Sequence, residues 1–218
     1  MKTLTLTNVY KTIKKREILS DINLTLEKGN IYGLYGRNGS GKTMLIRLIS
    51  GLIIPTSGEI DVFGKVIGRD VSFPESMGLT IENVGFWPRY TGFECLRFIA
   101  SIKKQIGDQE ISAVLERVGL DPHDKRKYKE YSLGMKQKLA IAQAIMERPD
   151  LIMLDEPTNS LDEESVKAIR QLLLEEKDRD ALIIIASHNK DDLRILADTT
   201  FLMSDGRIQD RIPGDQGI

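Results

Sequence analysis

One short run constrains this chain more than any other: Gly36-Arg37-Asn38-Gly39-Ser40-Gly41-Lys42-Thr43. It fits G-x-x-x-x-G-K-[ST], and its flanks have the character such a loop demands. Upstream, Ile31-Tyr32-Gly33-Leu34-Tyr35 reads as a short buried strand. Downstream, Leu45, Leu48, Ile49 and Leu52 recur at i, i+3, i+4 and i+7, the spacing of one helix face. A strand, loop and helix in this order aim the positive end of the helix at the loop. The glycines let successive backbone N–H groups curl around an anion, which a Cβ would obstruct. Lys42 is then placed to reach β- and γ-phosphates, and the Thr43 hydroxyl to ligate Mg²⁺. The run, with Met44 at the start of the helix, implies a bound nucleoside triphosphate.

Carboxylates follow where that chemistry needs them. Leu151-Ile152-Met153-Leu154-Asp155-Glu156-Pro157 is an apolar strand ending in two acids, and parallel strands deliver their C-terminal residues to the ligand crevice. Asp155 is the expected Mg²⁺ ligand, and Glu156 is a candidate to orient and deprotonate an attacking water. His188, just after the apolar run Leu182 to Ala186, is expected at the same edge, where an imidazole can donate to a phosphoryl oxygen. Asn189-Lys190-Asp191-Asp192 matches N-K-x-D, a guanine-reading pattern. However, the acidic strand continues into Asp-Glu-Pro rather than a D-x-x-G switch, which speaks against GTP.

At 218 residues the chain suits one large α/β unit or two small ones. Its formal net charge of −1 argues against nucleic acid as the main partner. Basic clusters such as Lys14-Lys15-Arg16 read as solvated loops. A lone Cys95 and two distant histidines offer neither an internal disulfide nor a zinc spacing. No apolar run approaches the ~18 residues of a membrane span, and nothing resembles a signal peptide. The expectation is a soluble protein of a reducing compartment that serves a membrane, if at all, by docking to another chain.

In chain order, Leu4 and Leu6, then Ile22, Leu24 and Leu26, alternate as strands do. Glu59 to Phe63 and Lys65 to Ile67 predict a hairpin about Gly64. The segment from about Ser76 to Arg148 reads as mostly helical, with Phe86, Trp87, Tyr90, Phe93 and Phe98 near its start. Of these, Phe93 and Phe98 are expected in the core, and Phe86, Trp87 and Tyr90 on an exposed loop. The two later apolar runs are short and continuous, as in a parallel strand buried on both faces. Val166, Ile169 and Leu173 mark an amphipathic helix between them. Ser132 suits an N-cap before a helix with Met135, Leu139, Ala142 and Met146 on one face, ended by Pro149.

Tyr131-Ser132-Leu133-Gly134-Met135-Lys136-Gln137, upstream of the acidic strand, resembles the L-S-G-G-Q signature of the nucleotide-binding subunits of ABC transporters. With the phosphate loop, the acidic strand and His188, the resemblance covers nearly the whole chain. It implies an α/β fold: a RecA-like phosphate-loop core sheet, an antiparallel β subdomain and a helical subdomain. These would divide a single domain, 1–218, into 1–75 and 149–218 for the core with its β subdomain, and about 76–148 for the helical insert. It implies an ATPase using ATP and Mg²⁺, acting as a head-to-tail dimer on a separate membrane-spanning permease, at the cytoplasmic face of the membrane. Ser132, Leu133, Gly134 and Met135 would then touch the nucleotide of the partner copy. Asn159, Ser160, Leu161 and Asp162 resemble the D-loop, and His188 the switch histidine. Ile13 falls at the adenine-stacking position, with Tyr10 three residues earlier. Glu82 stands at the usual Q-loop glutamine, with a resulting role near Mg²⁺ and the attacking water. The S-L-G-M form together with Ile81-Glu82-Asn83 resembles the branch that exports peptide antibiotics and confers bacitracin or lantibiotic immunity. The rival readings are a soluble ABC-type ATPase on DNA or ribosomes, whose long coiled coil or second domain is missing here, and a regulatory module that binds ATP without turnover.

Overall fold

The computed structural model describes residues 2–81 and 85–214. Strand β1 (Thr3–Ile13) and strand β2 (Arg16–Glu27) form an antiparallel pair. Their alternating leucines meet across the ladder, Leu4 opposite Leu26 and Leu6 opposite Leu24, and all four are buried. Side chains of one parity therefore share one face, as the period of two requires. Lys14 and Lys15, both at positive φ, make the tight turn between the strands. The phosphate loop follows β3 (Ile31–Tyr35) and leads into α1 (Lys42–Ile49). Strands β4 (Ser57–Val62) and β5 (Lys65–Val66) form the expected hairpin at Gly64 and complete a sheet ordered β2-β1-β4-β5.

Strand β6 (Met77–Thr80) lies inside the segment read as mostly helical, and it pairs in parallel with β7 (Leu151–Asp155). Its Gly78 explains both the weak sequence signal and the placement. A Cβ there would come 1.7 Å from the carbonyl oxygen of Ala144, so the strand is pressed directly against helix backbone. The helices α2 (Gly92–Lys103), α3 (Asp108–Arg117) and α4 (Leu133–Ile145) follow. Thr91 and Glu94 close a capping box at the start of α2, satisfying two end N–H groups reciprocally. After β7 come α5 (Glu163–Asp178), β8 (Leu182–Ser187), α6 (Lys190–Leu196), β9 (Thr199–Ser204) and β10 (Arg207–Pro213).

The second sheet runs β10-β9-β3-β8-β7-β6, parallel except for β10. Its middle strands bury both faces, as their continuous apolar runs predict. Ile152, Leu154, Ile183 and Ile185 pack with α4 and α5. Their neighbours Leu151, Met153, Leu182 and Ile184 pack with Leu45, Leu48 and Ile49 of α1 and with the antiparallel sheet. Leu52 was expected on that α1 face, but the helix ends before it and it is exposed. Among the described residues, no helix is long and apolar enough to cross a membrane.

Candidate active site

The loop after β3 opens at the C-terminal edge of the sheet, between two parallel neighbours, β8 and β9. Space dictates its glycines. A Cβ on Gly36 would come 2.4 Å from the Met203 carbonyl oxygen, and one on Gly41, at φ 108°, 2.7 Å from Leu19. Gly41 caps α1 without a side-chain hydrogen bond, and the first N–H groups of a helix have no partner within it. Lys42 is buried, and its ammonium donates to the Gly36 carbonyl at 2.6 Å. The Ser40 hydroxyl is buried with no hydrogen-bond partner among the described residues. An orphaned hydroxyl beside uncapped N–H groups is a cradle fitted to an anion. Asn38, Gly39, Ser40, Gly41, Lys42, Thr43 and Met44 line a cavity of about 380 Å³ that Asp155 and Glu156 also line. Gly36 is buried and Arg37 is exposed.

The Thr43 hydroxyl donates to Asp155 Oδ2 at 2.6 Å. The phosphate loop and the acidic strand thus converge on a pair of hard oxygen ligands, the donor type that Mg²⁺ takes. Among the described residues, no group of three or more His, Cys, Asp or Glu converges to hold a metal. The pair fits an ion that draws its other ligands from phosphates and water.

Glu156 is buried and takes φ 50°, the left-handed region. Its N–H donates to the Ala186 carbonyl at 2.8 Å. Its Oε1 lies 2.8 Å from His188 Nδ1 and accepts the His188 backbone N–H at 3.1 Å. The Ser187 hydroxyl donates to Oε2 at 3.3 Å. From another side, Gln137 donates to the carbonyls of Glu156 and Pro157. Ser187 and Gln137 were not singled out from the sequence. Ser187 had a signal in its adjacency to His188, and Gln137 in closing the signature stretch.

Ser132 caps α4 as expected, its hydroxyl accepting the Met135 N–H at 3.2 Å. Leu133 is 71% exposed, whereas Met135 packs against the core. A Cβ on Gly134 would lie 2.9 Å from the Ser160 carbonyl oxygen, so the first turn of α4 rests on the Asn159–Asp162 segment. Ser132 and Gly134 do not line the cavity at their own phosphate loop. Asn159 and Ser160 are exposed, Leu161 packs partly on the core, and Asp162 caps α5. The Ser165 N–H holds the Asp162 carboxyl below its ordinary range.

The remaining expected positions fall as follows. Ile13 is exposed at the end of β1, and Ile18 lines the phosphate-loop cavity. Glu82 lies outside the described residues. Phe86 is buried, drawn into the core by its edge-on contact with Tyr128, while Phe98 is exposed and lies with the exposed Trp87 and Tyr90. Asp192 of the N-K-x-D match is 1% exposed, paired with Arg170 and accepting from Thr158. A carboxylate so engaged is not free to read a base.

The strand–loop–helix, the paired oxygens of Thr43 and Asp155, and Glu156 beside His188 define a phosphate-loop nucleoside triphosphatase. Residues 19–159 match the ABC transporter family, and the chain belongs to that family as an ATP-binding ATPase subunit that works with a membrane permease. An uncharacterised ABC transporter ATP-binding protein of Bacillus subtilis, YybJ, is 50% identical over 93% of each chain. The bacitracin transport ATP-binding protein BcrA of Bacillus licheniformis is 38% identical, over 99% of this chain and 70% of its own. The lantibiotic transport ATP-binding protein SrtF of Streptococcus pyogenes is 33% identical, over 92% and 86%. In fold, the chain is similar to the dimeric ATP-binding cassette MJ0796 in a post-hydrolysis state bound to ADP and Pi. The TM-score is 0.88 at 22% identity, covering 96% of this chain and 98% of that one.

Proposed function

We propose that the chain binds ATP with Mg²⁺ at the Gly36–Thr43 loop, hydrolyses it with Glu156 as the base, and so drives export of a peptide antibiotic or similar compound. The observation that carries this reading is the pair of contacts at one sheet edge, Thr43 with Asp155 and Glu156 with His188. Backbone N–H groups and Lys42 hold the phosphates. Mg²⁺, held by Thr43 and Asp155, would supply charge neutralisation on the β- and γ-phosphates. Glu156 accepts a proton from water as its oxygen bonds to the γ-phosphorus, and the bond to the bridging oxygen breaks to leave ADP and phosphate. His188 orients that carboxylate. Adenine packs at the end of the β1–β2 pair, on Ile13 and Ile18.

Ser132, Leu133, Gly134 and Met135 close over the nucleotide of a second copy, with Asn159 to Asp162 between the two. Glu82 is assigned a place near the ion by family resemblance. The bacitracin and lantibiotic transport functions in the names of BcrA and SrtF support the substrate class. The site of action is the cytoplasmic face of the membrane. Glu156→Gln tests the chemistry: it should bind ATP and Mg²⁺, hydrolyse at least ~10²-fold slower, and shift from monomer to dimer with ATP on a sizing column. Normal turnover would remove Glu156 from the mechanism.

A further inference from the structure

We infer that Gln137 is a positioning residue for the catalytic base, tying the signature-bearing helix to Glu156 within the same chain. The inference rests on the reading of Glu156 as the base. Gln137 lies in the second turn of α4 and is half-buried. Its single amide nitrogen reaches two successive carbonyls, Glu156 at 3.3 Å and Pro157 at 3.1 Å. The peptide between these carbonyls ends in a proline nitrogen, which has no hydrogen to donate. The carbonyls therefore serve as backbone handles of this turn beside the Glu156 N–H, which bonds the Ala186 carbonyl. Asn159 N–H supplies a further bond to the Glu156 carbonyl at 3.3 Å, from within the turn itself. Gln137 supplies the tie from another element.

That tie acts where the backbone most needs it. Glu156 sits at φ 50°, a conformation that an L-residue with a side chain keeps only when its surroundings over-determine it. The carboxylate is fixed from β8 by His188 and Ser187. The backbone is fixed from β8 by the Ala186 carbonyl, which accepts the Glu156 N–H, and from α4 by Gln137. A base held at both ends keeps its oxygen aimed, and a small misplacement of a reacting group costs disproportionately in rate. The same helix begins at Ser132, and its first turn abuts the Ser160 carbonyl at Gly134. A displacement of α4 therefore reaches the Glu156 backbone through the Gln137 side chain.

The test compares two substitutions in the full-length chain. Gln137→Met keeps length and removes the donor, and Gln137→Lys keeps a donor of similar reach. The readouts are kcat for ATP hydrolysis, Kd for a non-hydrolysable ATP analogue and the thermal unfolding midpoint. Gln137→Met should lower kcat about tenfold with Kd unchanged, the split expected when a group acts only in the transition state. Gln137→Lys should recover kcat to within about threefold of the parent. Unchanged kcat in Gln137→Met would overturn the inference. So would equal losses in the two variants, or a Kd that weakens in step with kcat. Glu156→Gln run alongside separates the two readings: if that variant turns over normally, the assignment of the base has failed. If it is inactive while Gln137→Met is not, only the tie has failed.

Discussion

His188 Nδ1 and Glu156 Oε1 lie 2.8 Å apart, and the same oxygen accepts the His188 backbone N–H at 3.1 Å. The ring and the main chain of one residue thus grip one carboxylate oxygen. With Nδ1–H committed to Glu156, Nε2 of a neutral ring is an acceptor, and only the imidazolium can also donate to a phosphoryl oxygen. The histidine's first task in this geometry is to aim the base. His188→Ala should therefore retain ATP binding while hydrolysis falls about 10²-fold, the scale of a lost proton-transfer arrangement. Weakened ATP binding with an unchanged kcat would place His188 on the nucleotide instead.

The composite site makes a separate prediction. Ser132 caps α4 but lines no part of its own chain's phosphate-loop cavity. Ser132→Arg should bind ATP normally as a monomer and fail to hydrolyse it, because a bulky cation blocks closure of two copies. Lys42→Ala should lose ATP binding. An equimolar mixture should recover part of the activity, since one intact composite site per mixed dimer remains possible. Full activity of Ser132→Arg alone rules out the sandwich.

Trp87 reports on docking. It is 48% exposed, and its ring meets Phe98 edge-on at 5.6 Å, with Tyr90 on the same Phe98. An exposed aromatic cluster on a subunit that serves a membrane permease is a natural anchor. Acrylamide should quench this tryptophan, the only one in the chain, in the free subunit, and quench it less when the permease is bound. Equal quenching in the two states moves the docking surface elsewhere.

Alkaline pH should loosen the fold. Burial pushes the Cys95 thiol up to about 11 from an ordinary value of 9.0. Burial also raises the hydroxyls of Tyr32, Tyr128 and Tyr131. A group whose pKa is higher folded than unfolded stabilises fully below its unfolded value, and that contribution is lost as pH rises through the folded one. Urea unfolding midpoints should thus hold steady up to about pH 9 and fall above it. Cys95 should resist thiol reagents until the chain unfolds. A midpoint that climbs between pH 9 and pH 11 contradicts the sign.

The parts that the sequence made legible are those where one local rule suffices. The loop glycines, the capping Ser132, the Gly64 hairpin and the two-sided burial of β7 and β8 follow from spacing and residue type. What escaped depended on tertiary contact. β6 was hidden because its Gly78 answers to a helix backbone far along the chain, and β-propensity says nothing of that. Lys14 and Lys15 are exposed in a turn, as the solvated-loop reading has it, but their positive φ carries no signal because neither is the usual glycine or asparagine. Phe86 and Phe98 exchanged places because burial of an aromatic is decided by what faces it. In the site, Thr43, Asp155, Glu156 and His188 were legible from motif and strand ends. Gln137 and Ser187 had only the indirect signals of the signature stretch and of adjacency to His188, because the bonds they make join segments that no linear pattern relates.

Strand β7 also has a genetic consequence. Ile152 faces the core that supports α4 and α5, and Met153, its neighbour, faces the one under α1. Adjacent codons therefore address different halves of the molecule. A truncation at one slackens the side that carries the signature stretch, and at the other the side that seats the nucleotide. Trimming them in turn is a way to weaken each half of the cycle without touching a single residue of the active site.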